Sequence, residues 1–228
     1  MITTIRIFFI FSLFSLWICS SCSDSKKTEK SLSEGQIEYN AEVVDQSHPM
    51  AGLAPSSATV KFKDNKLHVE MSTMGIFNTT FISDPEKKTL TQMVKFMDIK
   101  EACIQNEADL IKEYKDYELK LVETKETKKI AGYTCKKVKA SMMNDPTVCF
   151  DVYYTDELGL DSINNIGPYK QINGMLMQYR LKKLGLEMCF TATVVKKEEI
   201  KNDIFEVPAY YKIVTRPQME KLFDDIQK

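Results

Sequence analysis

The chain has few of the residues that build catalytic, metal or nucleotide sites. It contains two histidines and eight glycines in 228 residues. Neither His48 nor His68 stands in a recognisable arrangement with a nucleophile, and His68 alternates with apolar neighbours, so we expect it to face solvent. The sequence contains no G-x-S-x-G motif, H-E-x-x-H motif or phosphate-binding glycine loop. We therefore expect no catalytic residues, no cofactor and no enzyme activity.

The chain also lacks an excess of charge of one sign. It has 31 basic and 32 acidic residues, a formal net charge of −1. Nucleic-acid-binding domains usually concentrate positive charge on one face, so we expect no nucleic-acid partner. No apolar run is long enough for a membrane-spanning helix, which needs about 20 residues.

The N-terminus is typical of a secretory signal. Arg6 is its only charge, residues 7–18 are dominated by Phe, Ile and Leu, and small residues precede Cys22. A cysteine directly after small residues predicts a bacterial lipoprotein signal, with residues 1–21 removed and Cys22 lipidated. An ordinary signal peptide with an incidental cysteine is the alternative.

The segment after Cys22 is rich in Ser and Lys. Residues 22–34 cannot bury a core, so we predict a flexible tether. Asp24, two places after the lipidated residue, favours the outer membrane. We therefore expect a cell-envelope protein held at the membrane by its N-terminal lipid.

Residues 35–228 are predicted to form a single domain that is mainly β. Apolar and polar residues alternate in about ten segments, a pattern typical of strands with one buried face. Asp64-Asn65 predicts a tight hairpin turn, because both residues tolerate positive φ. A long strand follows Leu186, with alternate apolar residues up to Val194 on one face. The expected architecture is one curved antiparallel sheet.

Few helices are predicted. Residues 106–114 favour one, and a second begins at Thr215, where Thr215 and Gln218 form a capping box. Its apolar residues recur at helical spacing, so the helix is amphipathic. It either packs on the sheet or covers the mouth of a cavity. The segment around Asp161-Ser162-Ile163 is predicted to be a polar loop.

Four further cysteines have no C-x-x-C or zinc-site spacing among themselves, so no metal site is expected: Cys103, Cys135, Cys149 and Cys189. They allow three disulfide pairings, and free thiols are equally open. A hairpin centred near Asp145 places Ser141 opposite Cys149, so Cys135 and Cys149 should not bridge each other directly.

Two segments carry a family resemblance. The run K-x-I-A-G-Y-x-C-K-K at residues 128–137 resembles an uncharacterised lipoprotein domain family of bacteroidete-type bacteria. The ending D-x-F-x-V-P-x-x-Y, from Asp203 to Tyr211, is similar to that family and to the LolA/LolB lipoprotein carriers. The family's usual glycine before the last tyrosine is Ala209 here. The resemblance implies a LolA/LolB-like half-barrel, a sheet curled around an apolar concavity.

The resemblance and the many methionines predict a binding protein rather than an enzyme. Methionine is common where an apolar surface adapts to varied ligands, although it also fills gaps in curved cores. We expect a non-enzymatic lipoprotein that holds a lipid or another apolar ligand. An envelope protein that binds or supports other proteins, without a small ligand, is the alternative. The predicted cavity residues are Val69, Met71, Met188, Phe190 and Val194.

Overall fold

Within residues 32–49, 51–183 and 185–226, which this computed structural model describes, twelve strands form one sheet. The strands are β1 (Glu34–Val43), β2 (Ser57–Lys63), β3 (Lys66–Thr73), β4 (Phe77–Asp84), β5 (Thr89–Phe96), β6 (Ile99–Gln105), β7 (Leu119–Ile130), β8 (Tyr133–Met142), β9 (Cys149–Thr155), β10 (Met175–Lys183), β11 (Leu186–Lys196) and β12 (Lys212–Ile213). Two α-helices, α1 (Glu107–Glu113) and α2 (Arg216–Ile226), accompany the sheet.

The sheet is curved and does not close on itself. Its order is β12-β6-β5-β4-β3-β2-β1-β11-β10-β9-β8-β7, so β12 and β7 form the two edges. Neighbouring strands are antiparallel except for β12, which runs parallel to β6. The prediction of a mainly β protein with one curved antiparallel sheet is confirmed. The final strand, β12, has only two residues.

Local turn chemistry explains the hairpins. Asp64 and Asn65 take φ values of 50° and 62° between β2 and β3, as a tight hairpin turn requires. Ala131 and Gly132 take φ values of 48° and 89° between β7 and β8, a backbone conformation that glycine adopts without strain.

A β-bulge interrupts the alternation of β11. Glu38 of β1 pairs with Val194 and Tyr39 pairs with Ala192, which leaves one extra residue between them. Such a bulge moves the following side chains to the other face of the strand. Val194 is consequently 39% exposed, and Val195 packs against the core in its place. The expectation that Val194 continues the apolar face is wrong.

The two faces of the sheet are covered differently. We call the face that bears Val69 and Phe190 the inner face, and it carries the largest core cluster. On the outer face of β4 to β6, the segment after Lys201 brings Phe205, Val207 and Tyr211 onto a smaller cluster with Ile82.

This outer cover explains the position of His68. His68 lies opposite Ile82 on the outer face and is only 6% exposed. The expectation that His68 faces solvent is therefore wrong, because alternation along β3 does not reveal that a distant segment covers the second face.

Both helices begin at side-chain caps. The Asn106 side chain accepts from the Asp109 backbone N–H, and the Asp109 side chain accepts in return from the Asn106 N–H, so α1 starts with a full capping box. Before α2, the Gln218 side chain accepts from the Thr215 N–H at 2.9 Å. Met219 of α2 is fully buried against β5 and β6.

The domain begins slightly earlier than predicted. Glu34 already belongs to β1, Leu32 packs against the core, and the Ser33 carbonyl accepts from the Asp64 N–H at 3.3 Å. The predicted signal peptide and Cys22 lie outside the described residues. Among the described helices, none has the length and apolar character needed to cross a membrane.

The four cysteines of the domain are free thiols, of which Cys103 and Cys135 are buried. Burial raises the pKa of the Cys135 thiol to about 11. Ser141 pairs with Cys149, as predicted from the hairpin centre, and Cys149 is exposed.

Candidate apolar cavity

A cavity of about 260 Å³ lies on the inner face of the sheet. Side chains of β1 to β5, β10 and β11 form one wall, and α1, α2 and the segment between β9 and β10 contribute the other. The apolar part of the sheet wall includes Val60, Leu67, Phe77, Phe81, Leu90, Leu181 and Leu186. The strands place these residues together because every second side chain of a strand points to the same face.

Four of the five predicted cavity residues line this space. Val69 and Met71 come from β3, and Met188 and Phe190 come from β11. Val194 is not among the lining residues, because the bulge in β11 turns it away from the inner face.

Tyrosines stiffen the wall formed by β1 and β10. The Tyr179 ring stacks on Phe190 at 5.2 Å between centroids and meets Tyr39 edge-on at 6.1 Å. The Tyr39 hydroxyl donates to the Leu176 carbonyl at 2.7 Å. Burial raises the pKa values of Tyr39 and Tyr179 above the ordinary value of 10.0, so both phenols stay neutral. This wall offers aromatic faces rather than charge.

The cover over the cavity comes from a segment that the sequence analysis treats as a polar loop. Ile163, Ile166 and Tyr169 line the cavity, and Ile163 is 1% exposed. Asn164 fixes the segment by donating to the carbonyls of Ile172 and Gly174 at 3.0 and 2.7 Å. The segment contains no helix or strand, so it is a loop as predicted, but the expectation that it is polar is wrong. The spacing of Leu158, Leu160 and Ile163, all buried, was the available signal.

One end of the cavity is polar. Among the lining residues that the structure describes, Lys183 is the only charged one. Its Nζ lies 2.6 Å from Glu113 Oε1 and 3.3 Å from Gln105 Oε1. Arg216 of α2 forms an ion pair with the other Glu113 oxygen. Two cations therefore share one buried carboxylate at this end.

The pKa directions reflect this crowding of charge. Burial acts to raise the pKa of Glu113, but the charges and hydrogen bonds of Lys183 and Arg216 outweigh it and hold that pKa below the ordinary 4.5. Burial lowers the pKa of Lys183, and Glu113 opposes that effect. Glu113 is therefore the firmly ionised member of the group.

Gln92 is the second polar group of this end. It lies on β5 between Phe81 of β4 and Cys103 of β6, lines the cavity and is 1% exposed. Neither Gln92 Oε1 nor Nε2 has a hydrogen-bond partner among the described residues. No feature of its sequence neighbourhood marks Gln92 as a cavity residue, so its role could not be predicted from the sequence.

A smaller cavity of about 180 Å³ adjoins the first. The two share Leu53, Thr73, Phe77 and Phe223, so these side chains separate one space from the other. The smaller cavity reaches Met74 and Ile76, which are exposed. Met74 and Ile76 therefore form an apolar rim where the smaller cavity meets solvent.

The described residues contain no group of three or more His, Cys, Asp or Glu side chains that could hold a metal ion. His68 lies on the outer face, away from the cavity. The arrangement on the inner face can enclose an apolar molecule and offer it hydrogen bonds and a positive charge at one end.

Comparison with known proteins gives a likeness of fold. Neither a protein-family model nor a curated protein matches the chain. A solved structure of PNGF-II in space group P21 is similar, with a TM-score of 0.53 and 14% sequence identity over 83% of this chain. A second, in space group C2, has a TM-score of 0.49 and 15% identity over 85%. This chain covers 33% of each PNGF-II chain, and at such identity the likeness shows the fold alone.

Proposed function

We propose that this protein is a non-enzymatic lipoprotein that binds a lipid or another apolar ligand on the inner face of a LolA/LolB-like half-barrel. The observation that carries the proposal is the mostly apolar cavity of about 260 Å³. An engineered apolar cavity of about 150 Å³ binds benzene, and natural ligand pockets begin near 300 Å³. A single apolar chain is a suitable occupant.

The lining suits a flexible ligand. Met71, Met175 and Met188 supply adaptable side chains, and Phe190 with Tyr179 supplies flat aromatic surface. Burial of each CH₂ group of a ligand contributes about 0.8 kcal/mol, so a chain of several methylenes gains substantial binding energy without any specific polar contact.

The test is direct identification of the occupant. Protein purified without detergent should release a lipid on solvent extraction, detected by mass spectrometry, and should bind a fluorescent fatty acid. Met71→Trp should fill part of the cavity and weaken that binding about tenfold or more, because the larger side chain occupies space that the ligand needs. Met97→Trp is the matched control because Met97 is exposed and lies outside the lining. Empty protein with equal binding in both variants would contradict the proposal.

The second part of the proposal is the tether. Lipidation at Cys22 would hold the domain at the cell envelope, with Asp24 favouring the outer membrane and residues 23–31 serving as a spacer. Cys22→Ala should move the protein from the membrane fraction to the soluble fraction and change its mass. A variant that stays membrane-bound at the wild-type mass would show that the tether lies elsewhere.

One observation favours the alternative of a protein-interaction lipoprotein. Leu53, Met74 and Ile76 at the smaller cavity are exposed and apolar. If the protein has this function, affinity purification should recover a partner protein whose binding depends on Met74 and Ile76. Solvent extraction of the same preparation should release no lipid. Lipid extraction and affinity purification on the same preparation therefore separate the two candidates.

A further inference from the structure

We infer that the ligand is a single-chain carboxylic acid, a free fatty acid, whose carboxyl group is bound by Gln92 and Lys183 at the polar end of the cavity. This inference rests on the proposed function, since it names the ligand class of the same cavity. It differs from that function because a purely apolar cavity would not distinguish an acid from a neutral lipid.

Gln92 carries the first step. Its amide is buried in the cavity wall, and neither polar atom has a protein partner among the described residues. Buried amides in folded proteins are almost always hydrogen-bonded, so an unpaired one facing a cavity points to a partner that is not protein. By contrast, the lining residues Asn164 and Thr73 bond to backbone carbonyls. The Gln92 amide is therefore free to bind a ligand, whereas the Asn164 amide nitrogen and the Thr73 hydroxyl already donate hydrogen bonds to the protein.

Lys183 belongs to the same end of the cavity. Its Nζ lies 5.5 Å from the centroid of the Phe81 ring, and Phe81 is the residue paired with Gln92 across β4 and β5. On the other side, Gln92 pairs with Cys103, which packs against Met219 and Phe223 of α2. The amide and the ammonium group therefore flank one small region of the wall.

The charge of this region favours an anion. Lys183 and Arg216 share Glu113, and Arg216 is further paired with Glu220 at the half-exposed edge of α2. In the buried part of this region, the two cations Lys183 and Arg216 face the single carboxylate of Glu113. Of the two cations, Lys183 is the one that lines the cavity. A ligand carboxylate would accept from the Lys183 ammonium and from Gln92 Nε2. A protonated carboxyl group could also donate to Gln92 Oε1.

The size of the cavity favours one chain over two. Its volume of about 260 Å³ lies below the usual range of ligand pockets, roughly 300–1,000 Å³. The polar end is buried behind α1 and α2, so a bulky diacyl head group would have to displace a helix. A carboxyl group is much smaller and would need no such displacement.

The experiment compares three ligands of equal chain length: hexadecanoic acid, its methyl ester and hexadecanol. Each displaces Nile red, a neutral fluorescent probe, from the full-length protein at pH 7.5. We expect the acid to bind about tenfold or more tightly than the ester, since hydrogen bonds to a charged group are the strong ones. Gln92→Leu and Lys183→Met should each remove most of this preference and change ester affinity less than about twofold.

Stability measurements separate binding from folding. Gln92→Leu removes an unpaired buried amide, so its melting temperature should equal or exceed that of the wild type. Thr91→Val is the matched control, because Thr91 is buried next to Gln92 on β5 but lies outside the cavity lining, opposite Ile82 of the outer face. It should retain the preference for the acid.

The outcomes distinguish the two proposals. Equal affinities for acid and ester in the wild type, or an unchanged preference in Gln92→Leu, would overturn the carboxyl site and leave the apolar cavity as the binding site. If none of the three ligands displaces the probe, both proposals fail together.

Discussion

At the scale of single residues, burial separates polar side chains that look alike in the sequence. Gln92 faces the cavity without a partner, whereas Asn164 makes two hydrogen bonds that hold the cover segment. His68 is buried on the outer face, where its Nδ1 makes no aligned hydrogen bond and lies 3.7 Å from Glu70 Oε1. Gln92, Asn164 and His68 are all polar, and what distinguishes them is the environment in which the fold places each side chain.

His68 should make the protein less stable in mild acid. Burial, together with Lys61, lowers its pKa below the ordinary 6.5 against the opposing effect of Glu70. The unfolded state therefore binds the proton more readily, and the free energy of unfolding should fall as the pH drops through 6.5. His68→Leu should lose part of this fall between pH 7.5 and 5.5 in urea titrations. An identical pH dependence in the variant would contradict the assignment.

Gly174 should tolerate no side chain. It has a φ of +144°, and a Cβ atom there would lie 2.5 Å from the Thr155 carbonyl oxygen. Gly174→Ala should therefore lower the free energy of unfolding by at least about 2 kcal/mol, through backbone strain and the clash. Gly52→Ala is the control, since a Cβ there meets nothing within 4 Å. Its effect should stay within about 0.5 kcal/mol in the same urea titration.

At the scale of elements, α2 packs on the strands near one edge of the sheet and also borders the cavity. Met219 and Phe223 pack on Val94 and Cys103 of the inner face, and Phe223 also stands between the two cavities. Arg216, at the start of the helix, supplies a charge to the polar end. The helix therefore both packs on the sheet and lines part of the cavity.

The packing of α2 can be tested at Met219. Met219→Ala should cost about 2–5 kcal/mol of unfolding free energy, because it leaves a cavity at a fully buried position. Met97→Ala, at a 70% exposed position, should cost less than about 0.5 kcal/mol. Chemical denaturation followed by circular dichroism measures both, and similar values for the two variants would show that α2 is not packed as described.

At the scale of the whole molecule, an open sheet leaves its inner face in need of cover. The helices, the segment between β9 and β10 and the apolar side chains of the sheet supply that cover but leave about 260 Å³ unfilled. An unfilled apolar space forfeits packing contacts, so the empty protein is less stable than a filled one.

An occupant should therefore stabilise the fold. Hexadecanoic acid at a free concentration 100 times its Kd should raise the free energy of unfolding by about 2.7 kcal/mol. Thermal denaturation of the wild type and of Met71→Trp, each with and without the acid, measures the effect. A shift of equal size in the two proteins would mean that the acid binds outside the cavity.

Some features could be predicted from the sequence because they depend on neighbours along the chain. The hairpin at Asp64-Asn65, the cap formed by Thr215 and Gln218 and the register of Ser141 with Cys149 are of this kind. Val69, Met71, Met188 and Phe190 were found because their strands alternate regularly. The prediction at Val194 was wrong because a bulge depends on the partner strand.

The polar end lay beyond sequence reasoning. Lys183 and Gln105 are 78 positions apart, and Arg216 and Glu113 are 103 positions apart. Nothing in the residues around Gln92 shows that its amide is left without a partner. Such sites depend on which elements the sheet order brings together.

The sequence alone determined a mainly β chain and predicts a lipoprotein-type N-terminus, because both depend on short-range patterns of apolar and polar residues. The tertiary structure decided that the inner face holds a cavity, that the outer face is covered over His68 and that one buried end gathers Gln92, Lys183 and Glu113. The physical reason is that burial, charge pairing and unfilled volume are properties of residues far apart in the chain, and only packing brings them into contact.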